Sequence, residues 1–314
     1  MAPTILIVGA TGNTGRSVVE TLSKQLKSTK TLSNHGILCL TRSANSDAAK
    51  ILAKLPGVEF IEENWVVIDA AWLKEHHVER VFVASHNEPT QFADEGQFYV
   101  NCLQAGIKYV VRISTTAANV RPDCMVYYPR THWAIEMMLG QPEFSAMGWT
   151  SLQPNGFSPM FLGPTAEFVK NYRQTGKQGT LSMMIDQNTP TGLVDSADVG
   201  RVAAHLLAQD DFSQHSGKRY NVSGPDNVTG AQVVELVEDI IGTKVEKVAF
   251  KDMSFIDDMA SMDSKNEHLI LTMKKALVTS WEGKCKAETT SKEVLDLYAP
   301  KRTVAEVLKE LISE

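Results

Sequence analysis

Apolar runs rich in β-branched residues recur through the first half of the chain, at residues 4–8, 36–41, 58–61, 78–84, 107–113 and 149–152. Several stretches between them, at 14–26, 70–76 and 96–105, carry their apolar residues at helical spacing. Strands that are apolar at nearly every position are buried on both faces, so this alternation predicts an α/β fold with a doubly wound parallel sheet of the Rossmann type. After Pro154 the pattern loosens into PNGFSPMFLGPTAEF, which reads as an irregular, partly apolar insertion of the kind that shapes a pocket, followed by a short strand near 181–185. Regular spacing returns in a helix at 196–208 capped by Asp195 or Ser196, a strand at 219–222, a helix at 233–241 behind a Thr229 and Gln232 capping box, and a helix at 303–312. The expected organisation is a sheet domain over 1–155, completed by 191–223, and a smaller C-terminal α/β region over 156–314.

With 314 residues and 43% hydrophobic side chains, the chain can build a sizeable core. Its net charge of −6 comes without a dense Lys/Arg block, which gives no footprint for nucleic acid or anionic membrane and leaves a small molecule as the default partner. The first residues carry no basic segment, and the apolar run at 5–8 is too short for a signal-peptide core or a membrane span, so the reading is a cytoplasmic protein. Cys39, Cys102, Cys124 and Cys285 are scattered with no CxxC pair, which fits a reducing compartment and argues against a zinc knuckle. His76 and His77 lack further ligands nearby, so no metal site is expected.

The first strand enters a helix through TILIVGATGNTGR, with Gly9, Gly12 and Gly15 at a three-residue spacing. A pyrophosphate needs such a turn: Gly9 for a sharp exit from the strand, Gly12 for close approach of phosphate to the backbone, and Gly15 for close packing of helix on strand. Thr11, Asn13 and Thr14 complete a candidate dinucleotide cradle. The end of the second strand decides which dinucleotide, because an acidic residue there binds the ribose hydroxyls of NAD. Here the chain reads LTRSANS, and Arg42, helped by Thr41 or Ser43, with Arg16 as a second cation, suits a 2′-phosphate. The expected cofactor is NADPH/NADP+.

GATGNTGR at the turn, TRS after the second strand, NCLQAGIKYVVRIST leading into the fifth, HWAIEMML in the next helix, SLQPNGF after the sixth strand and GLVDSADVGRVAAHLL beyond it form a set. Together they resemble the NmrA-like family, an atypical branch of the short-chain dehydrogenase/reductases with isoflavone-reductase-like and quinone-reductase-like relatives. The resemblance spans roughly residues 4–245 and implies a Rossmann domain and a smaller C-terminal domain enclosing a cleft over the nicotinamide. It also implies that Ser85, His86, Ser114 and the loop of Pro154, Asn155, Gly156 and Phe157 approach the cofactor, with adenine near Asn64. The family's Gly-Asp at the adenine position is Glu63-Asn64 here, and its Arg before Pro-x-Gly-Phe is Gln153.

Active short-chain reductases use Ser, Tyr and Lys, the last two as Tyr-x-x-x-Lys. This chain offers Ser114 or Thr115 and then YYPRTHWAIE, in which Tyr128 and His132 stand at that spacing with His in place of Lys. A phenol of pKa about 10 needs a neighbouring cation to act near neutrality, and a His of reference pKa about 6.5 is mostly neutral there. Pro129 suits a first helical turn, which places Tyr128 at the cap and off the face of His132, while Glu136 is positioned one turn on to orient His132. Tyr128, His132 and Ser114 are the candidate catalytic residues; Ser114, Thr115 and His132 are also candidate cofactor contacts. Trp133, Phe157, Met160 and Phe161 are the candidate walls for a flat, apolar substrate. Two functions stay open: an NADPH-dependent reductase passing hydride to a quinone, enone, imine or carbonyl, and a non-catalytic NADP(H)-binding redox sensor that regulates a protein partner. A homodimer is open in either case.

Overall fold

The computed structural model describes residues 2–313. The strands are β1 (Thr4–Val8), β2 (Gly36–Thr41), β3 (Val58–Glu62), β4 (Val78–Val83), β5 (Tyr109–Ile113), β6 (Gly148–Pro154), β7 (Leu181–Ser182), β8 (Lys218–Val222) and β9 (Val248–Ala249). The helices are α1 (Gly15–Gln25), α2 (Asp47–Leu52), α3 (Ala70–Glu75), α4 (Gln91–Ala105), α5 (Tyr127–Leu139), α6 (Ser158–Thr175), α7 (Ser196–Leu207) and α8 (Gly230–Ile241), then α9 (Phe255–Met262), α10 (Glu267–Ile270), α11 (Val278–Trp281), α12 (Lys292–Tyr298) and α13 (Val304–Ser313).

Seven strands form one parallel sheet in the order β3-β2-β1-β4-β5-β6-β8, and β7 pairs with β9 in a separate ladder. The pleat divides each inner strand between two cores. Ile5, Ile7, Ile37, Cys39, Phe82 and Val111 pack with Val18 and Leu22 of α1 and Val199 and Val202 of α7. Leu6, Val8, Leu38, Leu40, Val81 and Val110 pack on the other side with Leu73 of α3, Phe98 of α4 and Ile135 of α5. Both faces are covered, which is why these strands read as unbroken apolar runs. Strand order reverses between β1 and β4, so the loops leaving their C-terminal ends turn to opposite faces and a crevice opens between them.

The largest departure from the sequence reading follows β6. The segment read as an irregular insertion is an 18-residue helix, α6, with Pro159 in its first turn and Pro164 inside it. Pro159 removes an N–H that has no helical partner, whereas Pro164 costs one helical hydrogen bond. Burial supports the helix nonetheless: Leu162, Val169 and Phe168 join a third apolar cluster with Val233 and Val237 of α8 and Val307 and Leu308 of α13. A second difference is the start of α4. It begins at Gln91, five residues before the expected start, because Gln91 and Glu95 are buried polar residues that the apolar periodicity could not register.

The start of α5 corrects a third expectation. Val126 is its N-cap and Tyr128 lies inside the first turn with Pro129, so Tyr128 and His132 are both helical and fall on one face at i,i+4 spacing.

Candidate functional site

A cavity of about 950 Å³ occupies the crevice at the C-terminal ends of β1 and β4. Its floor is the glycine turn, including Thr11, Asn13 and Thr14; one end is walled by Thr41, Arg42 and Asn64, the other by Ser85, His86, Ile113 and Phe157. Gly9 has φ +82°, and a Cβ there would sit 2.8 Å from the Ala84 carbonyl oxygen. A Cβ on Gly15 would run into the Gly9 carbonyl, so only glycine lets α1 start this close to the strand. Gly12 has only the Gly9 oxygen near its missing Cβ, at 3.2 Å, which leaves its backbone open to a ligand. The first turn of α1 has no acidic residue and no side-chain cap at Thr14, so its partial positive charge is uncompensated. These features fit the diphosphate of a dinucleotide.

At the outer end, Arg42 is exposed and lines the cavity. The Thr41 hydroxyl is committed to the turn, accepting from Ser43 N at 3.2 Å and donating to Ser43 O at 3.1 Å, which holds the backbone on either side of Arg42. Ser43 and Arg16 are both exposed but are not among the residues that line the cavity. Asn64 lines it, with its side-chain oxygen accepting from Val66 N at 3.2 Å. Glu62 accepts from Ala44 N at 2.5 Å and so braces the loop after Arg42.

At the inner end lies a buried ionic network that sequence reading missed. Arg112, next to the last residue of β5, is 0% exposed. It donates to Glu95 (Nε 3.2 Å, Nη2 3.1 Å), to Ser151 Oγ at 3.2 Å and to His132 Nδ1 at 2.8 Å, and lies 3.7 Å from the Glu136 carboxylate. Glu95 also accepts from Gln91 at 2.7 Å, from the Tyr99 hydroxyl at 2.7 Å, and from Ser85. Burial alone would raise the Glu95 carboxyl, but the Arg112 charge and these donors hold it below its usual value. Glu136 accepts from Ser151 at 2.7 Å, from Gln153 at 3.0 Å and from Arg219 at 2.9 Å. The sequence signal was available in VVRIS: an arginine inside a two-sided apolar strand must be paired.

His132 therefore takes a different place from the one expected. It is 2% exposed, does not line the cavity, and is oriented by Arg112 and Asn87, not by Glu136. Burial, reinforced by the Arg112 charge, pushes its pKa down to about 3. A neutral, enclosed imidazole is no proton donor at working pH, and this corrects its candidacy as a catalytic acid and as a direct cofactor contact.

Tyr128 packs against the small apolar cluster of Cys124, Val126 and Ala276 and is not among the residues that line the cavity. Burial pushes its phenol up to about 12, with a hydrogen bond to the Thr115 side chain offsetting part of that. Ser114, just past the end of β5, is 6% exposed; its hydroxyl has no hydrogen-bond partner among the described residues, and it is not among the residues that line the cavity. Pro154 and Asn155 close the end of β6, where Asn155 donates to Ser223 Oγ at 3.0 Å; neither lines the cavity. Of the four expected substrate walls only Phe157 does. Phe161 is 2% exposed inside the third cluster, Met160 is 57% exposed, and Trp133 is half-buried on α5 outside the lining.

A Rossmann-type sheet with a glycine cradle at its switch point and a cation at the end of β2 defines the architecture of a dinucleotide-binding protein. The profile of the NmrA-like family matches residues 1–308, and the chain belongs to that family. It is 25% identical over 249 residues to the (4-alkanoyl-5-oxo-2,5-dihydrofuran-3-yl)methyl phosphate reductase of Streptomyces griseus, covering 76% of this chain and 74% of that one. Its fold matches the NADPH-dependent quinone oxidoreductase QOR2 of Escherichia coli, solved with NADPH, at TM-score 0.71 and 21% identity over 98% of this chain and 99% of that one. Triphenylmethane reductase of Citrobacter sp. matches at TM-score 0.71 and 17% identity, over 99% of this chain and 100% of that one.

Proposed function

We propose that the protein is an NADPH-dependent reductase of small organic electrophiles, of the quinone, enone, imine or carbonyl class. The observation that carries this is one continuous cavity joining a glycine cradle and an exposed Arg42 at one end to Ser85, His86, Ile113 and Phe157 at the other. Gly9, Gly12 and Gly15 with the start of α1 would hold the diphosphate, Arg42 the 2′-phosphate, Asn64 the adenine side, and Ser114 with Ser85 the nicotinamide end. Bound there, NADPH supplies a hydride.

The chain's own residues do the rest by position. Ile113 and Phe157 give the inner end apolar walls, and Phe157 is the contribution of the region after residue 155 to the lining. Tyr128 is the one candidate acid left on the face of α5, and its raised pKa makes it a donor and not a base. The relatives that reduce small molecules support the reading. A cytoplasmic setting is supported by four free, buried cysteines; among the described residues no helix is long and apolar enough to cross a membrane.

The test is loss of NADPH absorbance against quinones, enones, aldehydes and cyclic imines. Turnover that survives with NADPH and not NADH supports the assignment. Tight NADPH binding with no turnover on any class would favour a sensor of cofactor redox state.

A further inference from the structure

Asn87 is exposed and follows His86, which forms the cavity wall. Two contacts fix it. Its backbone carbonyl accepts from the Tyr127 hydroxyl at 2.5 Å, and its side chain lies 3.1 Å from His132 Nε2. The chemistry of the buried network decides which atom of the amide faces His132. Arg112 can only donate, so His132 Nδ1 must accept, and the single proton of the neutral ring sits on Nε2. The atom of Asn87 facing it is therefore Oδ1, which leaves both N–H groups of Nδ2 free of His132, on the residue that follows the cavity-lining His86. Glu95 acts at the same loop from below, since it binds both Arg112 and Ser85.

We propose that Glu95, Arg112 and His132 are positioning residues that present the Asn87 Nδ2–H to the substrate, marking the place of a hydrogen-bond-accepting oxygen. The inference rests on the reductase reading and narrows its substrates to acceptors that carry such an oxygen. Two-electron reduction of a quinone takes a hydride and a proton to give the hydroquinone, and negative charge grows on a carbonyl oxygen as hydride arrives. A donor held in place stabilises that charge. A triarylmethyl cation takes hydride alone at carbon and has no oxygen to stabilise.

The experiment compares menadione with crystal violet as acceptors for the full chain, with NADPH affinity measured separately by fluorescence. Asn87→Asp keeps the oxygen that His132 binds and removes the N–H groups. It is expected to lose about tenfold or more in kcat/KM for menadione with no matching loss for crystal violet, a cation that the new carboxylate does not repel. His132→Gln can accept from Arg112 and donate to Asn87, so it retains menadione activity, whereas His132→Leu falls with Asn87→Asp. Equal losses on both acceptors, or none on either, overturn the proposal. If the wild type reduces neither, the positioning is read directly from the Asn87 side-chain amide resonance of the NADP+-loaded protein, and the reductase reading is decided separately by the wider acceptor panel. A shift on adding menadione and none with 2-methylnaphthalene supports it; no shift with menadione overturns it.

Discussion

The Nη2 of Arg112 stands 2.8 Å from Nδ1 of His132, a permanent cation donating to an imidazole that is almost wholly enclosed. That contact fixes the tautomer and explains, after burial itself, why the ring pKa falls to about 3. A base whose folded pKa lies below its unfolded value holds its proton more readily in the unfolded chain. It contributes stability in full above pH about 6.5 and loses it as pH falls toward about 3, at up to about 1.4 kcal/mol per pH unit. Urea titrations between pH 4 and 7.5 are expected to show His132→Gln less pH-dependent than wild type by close to one proton. Equal slopes would mean that His132 is accessible and ordinary.

Arg42 is exposed at the end of β2 beside a turn locked by Thr41 and Ser43. A charge-assisted contact to a 2′-phosphate contributes about 1.5–3 kcal/mol, so Arg42→Ala is expected to raise the NADPH Kd by about tenfold to a hundredfold and leave NADH nearly unchanged. Isothermal titration with both dinucleotides checks this. An unchanged preference would remove the argument for NADP(H) from the strand end.

The glycines separate folding from binding. A methyl on Gly15 meets the Gly9 carbonyl, and the backbone must move, so Gly15→Ala is expected to lose about 1–3 kcal/mol or more of stability. Gly12→Ala meets a single oxygen at 3.2 Å and is expected to fold normally, with NADPH affinity down about tenfold because the methyl stands where phosphate must approach. Thermal melts with and without NADPH distinguish the two. A Gly12→Ala protein that binds as wild type would place the phosphates elsewhere.

The sheet was legible because both faces of Leu6, Ile7 and their neighbours are covered, so periodicity alone marks the strands. The glycine turn and Arg42 were legible because their chemistry is local in sequence. What periodicity could not show was the helix over Ser158–Thr175, where two prolines and a glycine outweigh the pattern until Val307 and Leu308, far along the chain, pack against it. The Glu95–Arg112–His132 network was hidden for the same reason: its members come from α4, β5 and α5, and only the sheet brings them together. Arg112 alone gave notice, as a charge inside an apolar strand. Phe161 misled because an aromatic near the expected pocket reads the same whether it faces cleft or core.

Tyr128 tests whether the protein itself provides the proton. Its ring packs against the cluster of Cys124, Val126 and Ala276, and burial takes the phenol to about 12, so it stays protonated throughout the working range. The kcat profile for menadione is expected to show no alkaline break from Tyr128 below pH about 11. If this phenol donates in the transition state, Tyr128→Phe loses about 10²–10⁴ in kcat with NADPH affinity intact, since positioned general acids contribute on that scale. An alkaline break near neutrality that disappears in Tyr128→Phe would mean a cation approaches the phenol when the cleft is filled. Unchanged kcat in Tyr128→Phe would assign the proton to water, and the α5 face would then serve only to hold His132 and, through it, Asn87.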